Sequence, residues 1–252
     1  MEPLLLSLPL LSLTWNLRAG GATAAATSLA QLLNADLVLL QETRSPLWPG
    51  RNKKLWHAVP GRRWGSAILV RTGSLQPLDL DTYPGWVTGA KWVNSRMPGL
   101  KELFVFSVHS PSPRKGERKG SYTQRSLEIV QAIHARVPAT AAVVIGGDFN
   151  LASLGERLAS ETLPHDKRES AALATFRSLG FAVAWRDLHW GQPLPQTLRW
   201  TGNTATPFHL DGFLVRGNAV TPRHCEVLNA TATREQSDHM PVVLWTDAGA
   251  AA

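Results

Sequence analysis

Apolar residues fall along this chain in short runs that stop at Gly, Pro or polar clusters. Runs at Leu10–Leu17, Leu37–Gln41, Ser66–Val70, Trp86–Val93, Leu103–His109, Ala142–Ile145, Phe181–Trp185, His209–Val215 and Val242–Trp245 have the length and the bounds of β-strands. Helices are expected between some of them. Ala22–Leu33 is rich in Ala and Leu and stops before Asn34-Ala35-Asp36. Leu127, Val130, Ile133 and Val137 recur at helical spacing within Tyr122–Val137, and Ser121 with Gln124 has the form of a capping box ahead of them. Arg168–Leu179 reads as a third helix, ended by Gly180. Many strands and a few helices, with no repeat or linker to divide them, predict a layered α/β or α+β domain.

Length and composition narrow the picture. The chain has 252 residues, which suits one domain over 1–252 with about the last six (247–252) as a short tail. Hydrophobic residues make up 44% and charged residues 18%, which excludes a disordered or collagen-like chain. The longest apolar run, Pro3–Leu13, is interrupted and shorter than the ~18 residues that span a bilayer, so no transmembrane segment is expected. Leu4–Leu13 has the apolarity of a signal-peptide core, yet Glu2 rather than a basic residue precedes it and no small-residue cleavage pattern follows. It reads as a first strand, and the chain as cytoplasmic in preference to secreted. Cys225, the single cysteine, excludes an intramolecular disulfide and a Cys-rich zinc site. Lys and Arg outnumber Asp and Glu by 26 to 19, a balance that favours a polyanionic partner. No obligate protein partner is indicated.

Several of the apolar runs end in a residue with metal or acid–base chemistry. The runs lead to Asn16, Glu42, His109, and Asp148 with Asn150; Asp211 lies within one, and Asp238-His239 precedes the last. Each alone is most simply a turn residue or a solvated strand end. As a set they offer carboxylate and amide oxygens, the hard ligands that suit Mg²⁺ or Mn²⁺, together with groups able to accept and donate protons. That combination fits metal-assisted hydrolysis of a phosphodiester. In such a site Asp211 would hold His239 in one tautomer and favour its imidazolium.

Thr14-Trp15-Asn16-Leu17-Arg18, Leu40-Gln41-Glu42-Thr43-Arg44, Gly147-Asp148-Phe149-Asn150, Leu210-Asp211-Gly212-Phe213-Leu214-Val215 and Ser237-Asp238-His239-Met240-Pro241 stand in the order found in the endonuclease/exonuclease/phosphatase superfamily. Deoxyribonuclease I, exonuclease III and the abasic-site endonucleases belong to that superfamily, which the chain resembles from residue 14 to residue 241. The resemblance implies a four-layer α/β sandwich, two packed mixed β-sheets flanked by helices, and a Mg²⁺-dependent hydrolase for which Mn²⁺ can substitute. By the same resemblance Glu42 is the principal metal ligand, with Asn16 and Asp238 near the metal. Asp148 and Asn150 position or activate the attacking water, and His239, backed by Asp211, contacts the scissile phosphate. His109 falls where deoxyribonuclease I-like members keep a second active-site His. Ser121-Tyr122-Thr123-Gln124-Arg125 resembles the segment that supplies an active-site Tyr in abasic-site endonucleases, which makes Tyr122 a phosphate contact.

The chain also departs from its relatives. Gly61-Arg62-Arg63-Trp64-Gly65 carries no acid where deoxyribonuclease I-like members would place a carboxylate behind the first His. His209-Leu210-Asp211-Gly212 stands where inositol-phosphate phosphatases carry Trp-Cys-Asp-Arg, which argues against a phosphoinositide substrate. From Arg44 to Leu78 there are seven basic residues and no acid, Arg62 and Arg63 among them, and Arg114-Lys115-Gly116-Glu117-Arg118-Lys119 follows His109. Arg44, Arg62, Arg63, Arg114 and Lys115 are therefore candidates to grip a nucleic-acid backbone, DNA in the first place. Trp48, Trp56 and Trp64 are candidates to stack bases, and Trp200 and Phe208 to line a base or sugar pocket; packing is the plainer use of each. The leading reading is an endonuclease. Its rivals are a phosphatase or phosphodiesterase for a small or lipid ester, and a nucleic-acid-binding module that kept only the fold.

Overall fold

The computed structural model describes residues 8–94, 100, 102–111, 121–151, 164–199 and 208–249. The chain opens with β1 (Leu8–Asn16), α1 (Thr23–Leu32), β2 (Leu37–Thr43), β3 (Lys54–Ala58), β4 (Gly65–Val70) and β5 (Ser74–Pro77). It continues with β6 (Val87–Val93), β7 (Glu102–His109), α2 (Ser121–Arg136), β8 (Val143–Asp148) and α3 (Pro164–Ser178). The last elements are β9 (Ala182–Val183), α4 (Ala184–Leu188), β10 (Asp211–Arg216), β11 (Val220–Val227), α5 (Thr231–Arg234) and β12 (Val242–Ala248). None of the described helices is long and apolar enough to cross a membrane.

The strands form two six-stranded sheets, ordered β11-β12-β1-β2-β4-β3 and β5-β6-β7-β8-β10-β9. Each is mixed: β1 runs parallel to β2, β7 runs parallel to β8, and the other pairs are antiparallel. The central strands are buried on both faces, which is why they read as unbroken apolar runs. Leu37 and Leu39 of β2 face the second sheet, with Val105, Val144 and Phe213 in the same cluster. Val38 and Leu40, on the opposite face, pack with Ala22, Ala26 and Ala30 at α1. Ile129, Val130 and Ile133 of α2 and Leu173 and Phe176 of α3 cover the outer face of the second sheet. The architecture is thus the expected four-layer sandwich.

Three details differ from the sequence reading. Phe181–Trp185 is not one strand: only Ala182–Val183 pairs, and Ala184–Leu188 turns into a helix. Asp187 Oδ2 accepts the Val183 N–H (2.9 Å), and Trp185 stacks on His189 four residues on (ring centroids 4.0 Å), so local helix chemistry overrides a short apolar alternation. Strands β3, β5 and β11 were not anticipated. The last strand extends to Ala248, whose partner is Leu8 of β1.

A buried polar bridge ties the sheets together next to their polar end. Gln41 Nε2 donates to Ser107 Oγ (2.9 Å) and Thr14 Oγ1 (3.1 Å), and Ser107 Oγ donates to the Leu40 carbonyl (2.9 Å). Gly147 allows β8 to run close to β7: a Cβ there would lie 1.8 Å from the Val108 carbonyl oxygen.

Candidate active site

The register of the sheets gathers the polar run ends. His109 and Asp211 each lie opposite Asp148, on the two strands flanking β8. From the first sheet Asn16 ends β1, and Glu42 lies at a register shift between β2 and β4. Glu42 has φ 49°, so its side chain is re-aimed at a bulge; Arg18 (45°), Ala19 (57°) and Asn150 (50°) share the left-handed conformation. Non-glycine residues held there cost roughly 1 kcal/mol or more each and cluster at functional sites.

Asp148 is the hub. Asn16 Nδ2 donates to its Oδ2 (2.9 Å), and the Asn150 backbone N–H donates to its Oδ1 (2.9 Å). The same Oδ2 lies 3.7 Å from His109 Nε2 and 3.9 Å from His239 Nε2. Burial and the nearby Asp211 charge raise the Asp148 pKa, and His239, His109 and the Asn150 N–H offset part of that.

His239 is fixed from behind. Its Nδ1 donates to Asp211 (2.9 and 3.1 Å to the two oxygens), and Trp15 Nε1 donates to its carbonyl (2.9 Å). Asp211 is held by its own N–H, which donates to Thr197 Oγ1 (3.1 Å). Burial alone would depress the imidazole pKa, but the Asp211 carboxylate, with Asp148 and Asp238, lifts it to about 10. His109 has the reverse setting. Its Nε2 faces Asp148 and, at 3.8 Å, Glu42 Oε1, while its buried Nδ1 has no partner among the described residues. Trp86 and Trp64 lie against it (ring centroids 4.9 and 6.3 Å), and no acid among the described residues bonds its Nδ1. Burial lowers its pKa to about 4 despite Asp148, with His239 pushing the same way.

Glu42 Oε2 accepts the Ala19 N–H (2.7 Å), and Arg18 Nε lies 3.5 Å from Asp238 Oδ2, so one turn spans both acids. Asp238 Oδ1 is buried without a hydrogen-bond partner among the described residues. The orphaned Asp238 oxygen, taken with the Glu42 carboxylate and the Asn16 amide oxygen, has the donor chemistry that fits a hard divalent cation. Asp148, Asp211 and His239 also present ligand atoms within 4.8 Å of one another, close enough to hold a metal ion. For His239 the bound proton opposes that use, because an imidazole ligates only when neutral.

The outer candidates separate. Tyr122 is half-buried, and its carbonyl accepts from Ser110 Oγ (3.3 Å); Asn150 Nδ2 donates to the Ser110 carbonyl (2.9 Å), which brings Tyr122 near Asn150. Arg44, Arg62 and Arg63 are exposed. Arg44 lies across Gly20, and the Arg62 guanidinium lies 5.9 Å from the Trp64 ring. Trp48 and Trp56 donate to the Val70 and Thr43 carbonyls and pack against the core, which leaves Trp64 as the tryptophan of those three beside the site. Arg114, Lys115 and Trp200 lie outside the described residues. The sequence reading missed Trp86, Thr197, Arg199 and Arg234; none sits in a motif, and only the fold carries them to the site.

A sandwich of two mixed sheets with a carboxylate–histidine cluster at one end defines a class of phosphoesterase. The chain matches the endonuclease/exonuclease/phosphatase family over residues 13–239 and belongs to that family, whose members are hydrolases acting on phosphodiester bonds and are generally dependent on a divalent metal. Its fold is similar to that of an AP endonuclease from Archaeoglobus fulgidus (TM-score 0.68, 17% identity, covering 93% of this chain and 98% of that one). It is also similar to the Xenopus laevis APE2 catalytic domain (0.69, 17%, 94% and 92%) and to humanized D. rerio TDP2 (0.63, 17%, 94% and 98%). At these identities the likeness is one of fold. No curated protein sequence matches the chain.

Proposed function

We propose that this chain is a Mg²⁺-dependent endonuclease that hydrolyses phosphodiester bonds of nucleic acid, DNA in the first place. The observation that carries this reading is the Asp148 carboxylate, set between His239 and His109 with Asn16 on the same oxygen. Glu42, Asp238 and Asn16 would hold the metal, which Mn²⁺ could replace. When bound, the metal neutralises charge on the phosphoryl and leaving oxygens.

The chain's own residues supply the rest. Asp148, oriented by Asn16 and the Asn150 N–H, accepts a proton from the attacking water as the new P–O bond forms and the P–O bond to the leaving sugar oxygen breaks, the leaving oxygen taking its proton from solvent. His239, kept protonated by Asp211, donates its Nε2–H to a non-bridging phosphate oxygen, where negative charge grows. Asn150 and Tyr122 line the same end and contact the phosphate; His109 offers a neutral Nε2–H. Nucleic acid is favoured by the +7 net charge and by the exposed Arg44, Arg62 and Arg63. The AP endonuclease among the similar structures points the same way.

Supercoiled plasmid incubated with the protein in Mg²⁺ tests the reading, beside EDTA and His239→Ala controls. Nicking by the wild type in Mg²⁺ alone is expected. Nicking that survives EDTA or His239→Ala would contradict it, and hydrolysis of a soluble diester without plasmid cleavage would replace it with a small-molecule phosphodiesterase.

A further inference from the structure

On the Asp238 side of the site three arginines meet. Arg18 Nε lies 3.5 Å from Asp238 Oδ2. Arg199 donates its backbone N–H to the Asp238 carbonyl (2.9 Å) and its Nη2–H to the Arg234 carbonyl (3.0 Å). Arg234 closes α5, four residues before Asp238, and its Nε donates to Asn229 Oδ1 (2.8 Å). Three exposed arginines elsewhere each pair with one acid: Arg71 with Asp36, Arg177 with Asp187 and Arg223 with Asp247. Here Arg18 takes the Asp238 carboxylate, and the Arg199 and Arg234 guanidinium groups bond to neutral oxygens rather than to an acid. Glu235 is exposed and forms no ion pair with a described residue. Arg199 Nε is buried without an acceptor among the described residues. Positive charge is in excess at this wall, and a second anion would balance it.

We propose that Arg199 and Arg234, with Arg18 across Asp238, form a binding site for a phosphate that flanks the scissile phosphate in a polynucleotide. The proposal rests on the reading of Asp238 and His239 as part of the hydrolytic site. Guanidinium forks match phosphate oxygens in pairs. A polynucleotide that places one phosphate at His239 carries another a nucleotide away, whereas a small diester has none to offer. The site would therefore select polymer over small ester.

The test is the salt dependence of binding of a fluorescein-labelled DNA duplex, read by anisotropy in EDTA so that nothing is cleaved. Each phosphate contact contributes about 0.9 to the slope of log K against log salt. Arg199→Gln and Arg234→Gln should each flatten the slope by about that amount, and the double variant by about twice it. Arg199→Lys, which keeps the charge, should retain most of the slope. Arg223→Gln removes the same charge near the far end of β12 and should leave the slope unchanged. Equal slopes in wild type and both Gln variants would overturn the proposal, as would equal flattening by Arg223→Gln or a wild type that does not bind DNA. Arg234 is exposed, so its variant carries the test if Arg199→Gln fails to fold. A wild type that never cleaves but shows the flattening keeps this site and loses the proposed reaction; one that cleaves with unaltered slopes keeps the reaction and loses this site.

Discussion

Two histidines approach the same oxygen of Asp148, one from each sheet, and one is cationic while the other is neutral. His239 Nε2 lies 3.9 Å from Asp148 Oδ2 and His109 Nε2 lies 3.7 Å from it, so the carboxylate in front of them does not distinguish them. What stands behind does. Asp211 contacts Nδ1 of His239 and keeps it cationic, with a pKa lifted to about 10. Trp64 and Trp86 stand against His109, its Nδ1 has no hydrogen-bond partner among the described residues, and its pKa falls to about 4. The lesson is that the residue behind the ring assigns the proton. One side of Asp148 is built to donate to developing negative charge, and the other stays neutral beside Glu42.

The largest effect that could break this contrast is removal of the backing acid. Asp211→Asn should lower kcat by about 10⁴-fold, as loss of the orienting carboxylate does in a catalytic triad, and the alkaline limb of its pH–rate profile should move to lower pH. An unchanged profile would mean that Asp211 does not set the His239 proton. Asp148→Asn should cost about 10³-fold through loss of the proton acceptor, with the His239 pKa falling toward its ordinary value and the His109 pKa falling further below it.

Stability sharpens the same contrast with opposite signs. His109 and His209 are both lowered by burial to about 4, from an ordinary 6.5. Between those values the unfolded chain binds protons that the native chain refuses, so stability falls as pH drops from 6.5 toward 4. Each contributes about 3 kcal/mol to that loss. His239 is raised, so its contribution is full below 6.5 and is lost as pH rises toward 10. Urea midpoints of His209→Asn should therefore fall less steeply on acidification than those of the wild type; parallel curves would contradict the assignment. The smallest effect is expected from His109→Gln, which keeps a neutral donor. A loss of about tenfold in kcat, worth ~1.4 kcal/mol, should suffice to describe it in steady-state assays.

The parts legible in the sequence share a physical cause. Strands β1, β2, β7, β8 and β12 are central, buried on both faces, and appear as continuous apolar runs. Strands β3, β5 and β11 are edges, and each hides its pattern: β3 is nowhere buried, β5 ends in Pro77, and β11 is interrupted by Pro222 and a register shift. The same division holds for the site. Glu42, Asp148, Asp211 and His239 are carried by motifs at strand ends, so their convergence follows once the sheets are paired. Trp86, Thr197, Arg199 and Arg234 reach the site from loops, a strand boundary and a four-residue helix that no periodicity announces. Trp48, Trp56 and Trp64 look alike along the chain, and only the folded surroundings turn two of them inward and leave the third beside His109.

The contrast between the two histidines is tested most directly by ¹⁵N-histidine NMR of the metal-free protein across a pH series. The account predicts that His239 keeps both ring protons to about pH 8 and that His109 remains singly protonated, at Nε2, down to about pH 5.5. If both rings titrate together near their ordinary value, or exchange these roles, the backing residues do not set the charge, and the proposed division of labour around Asp148 is wrong.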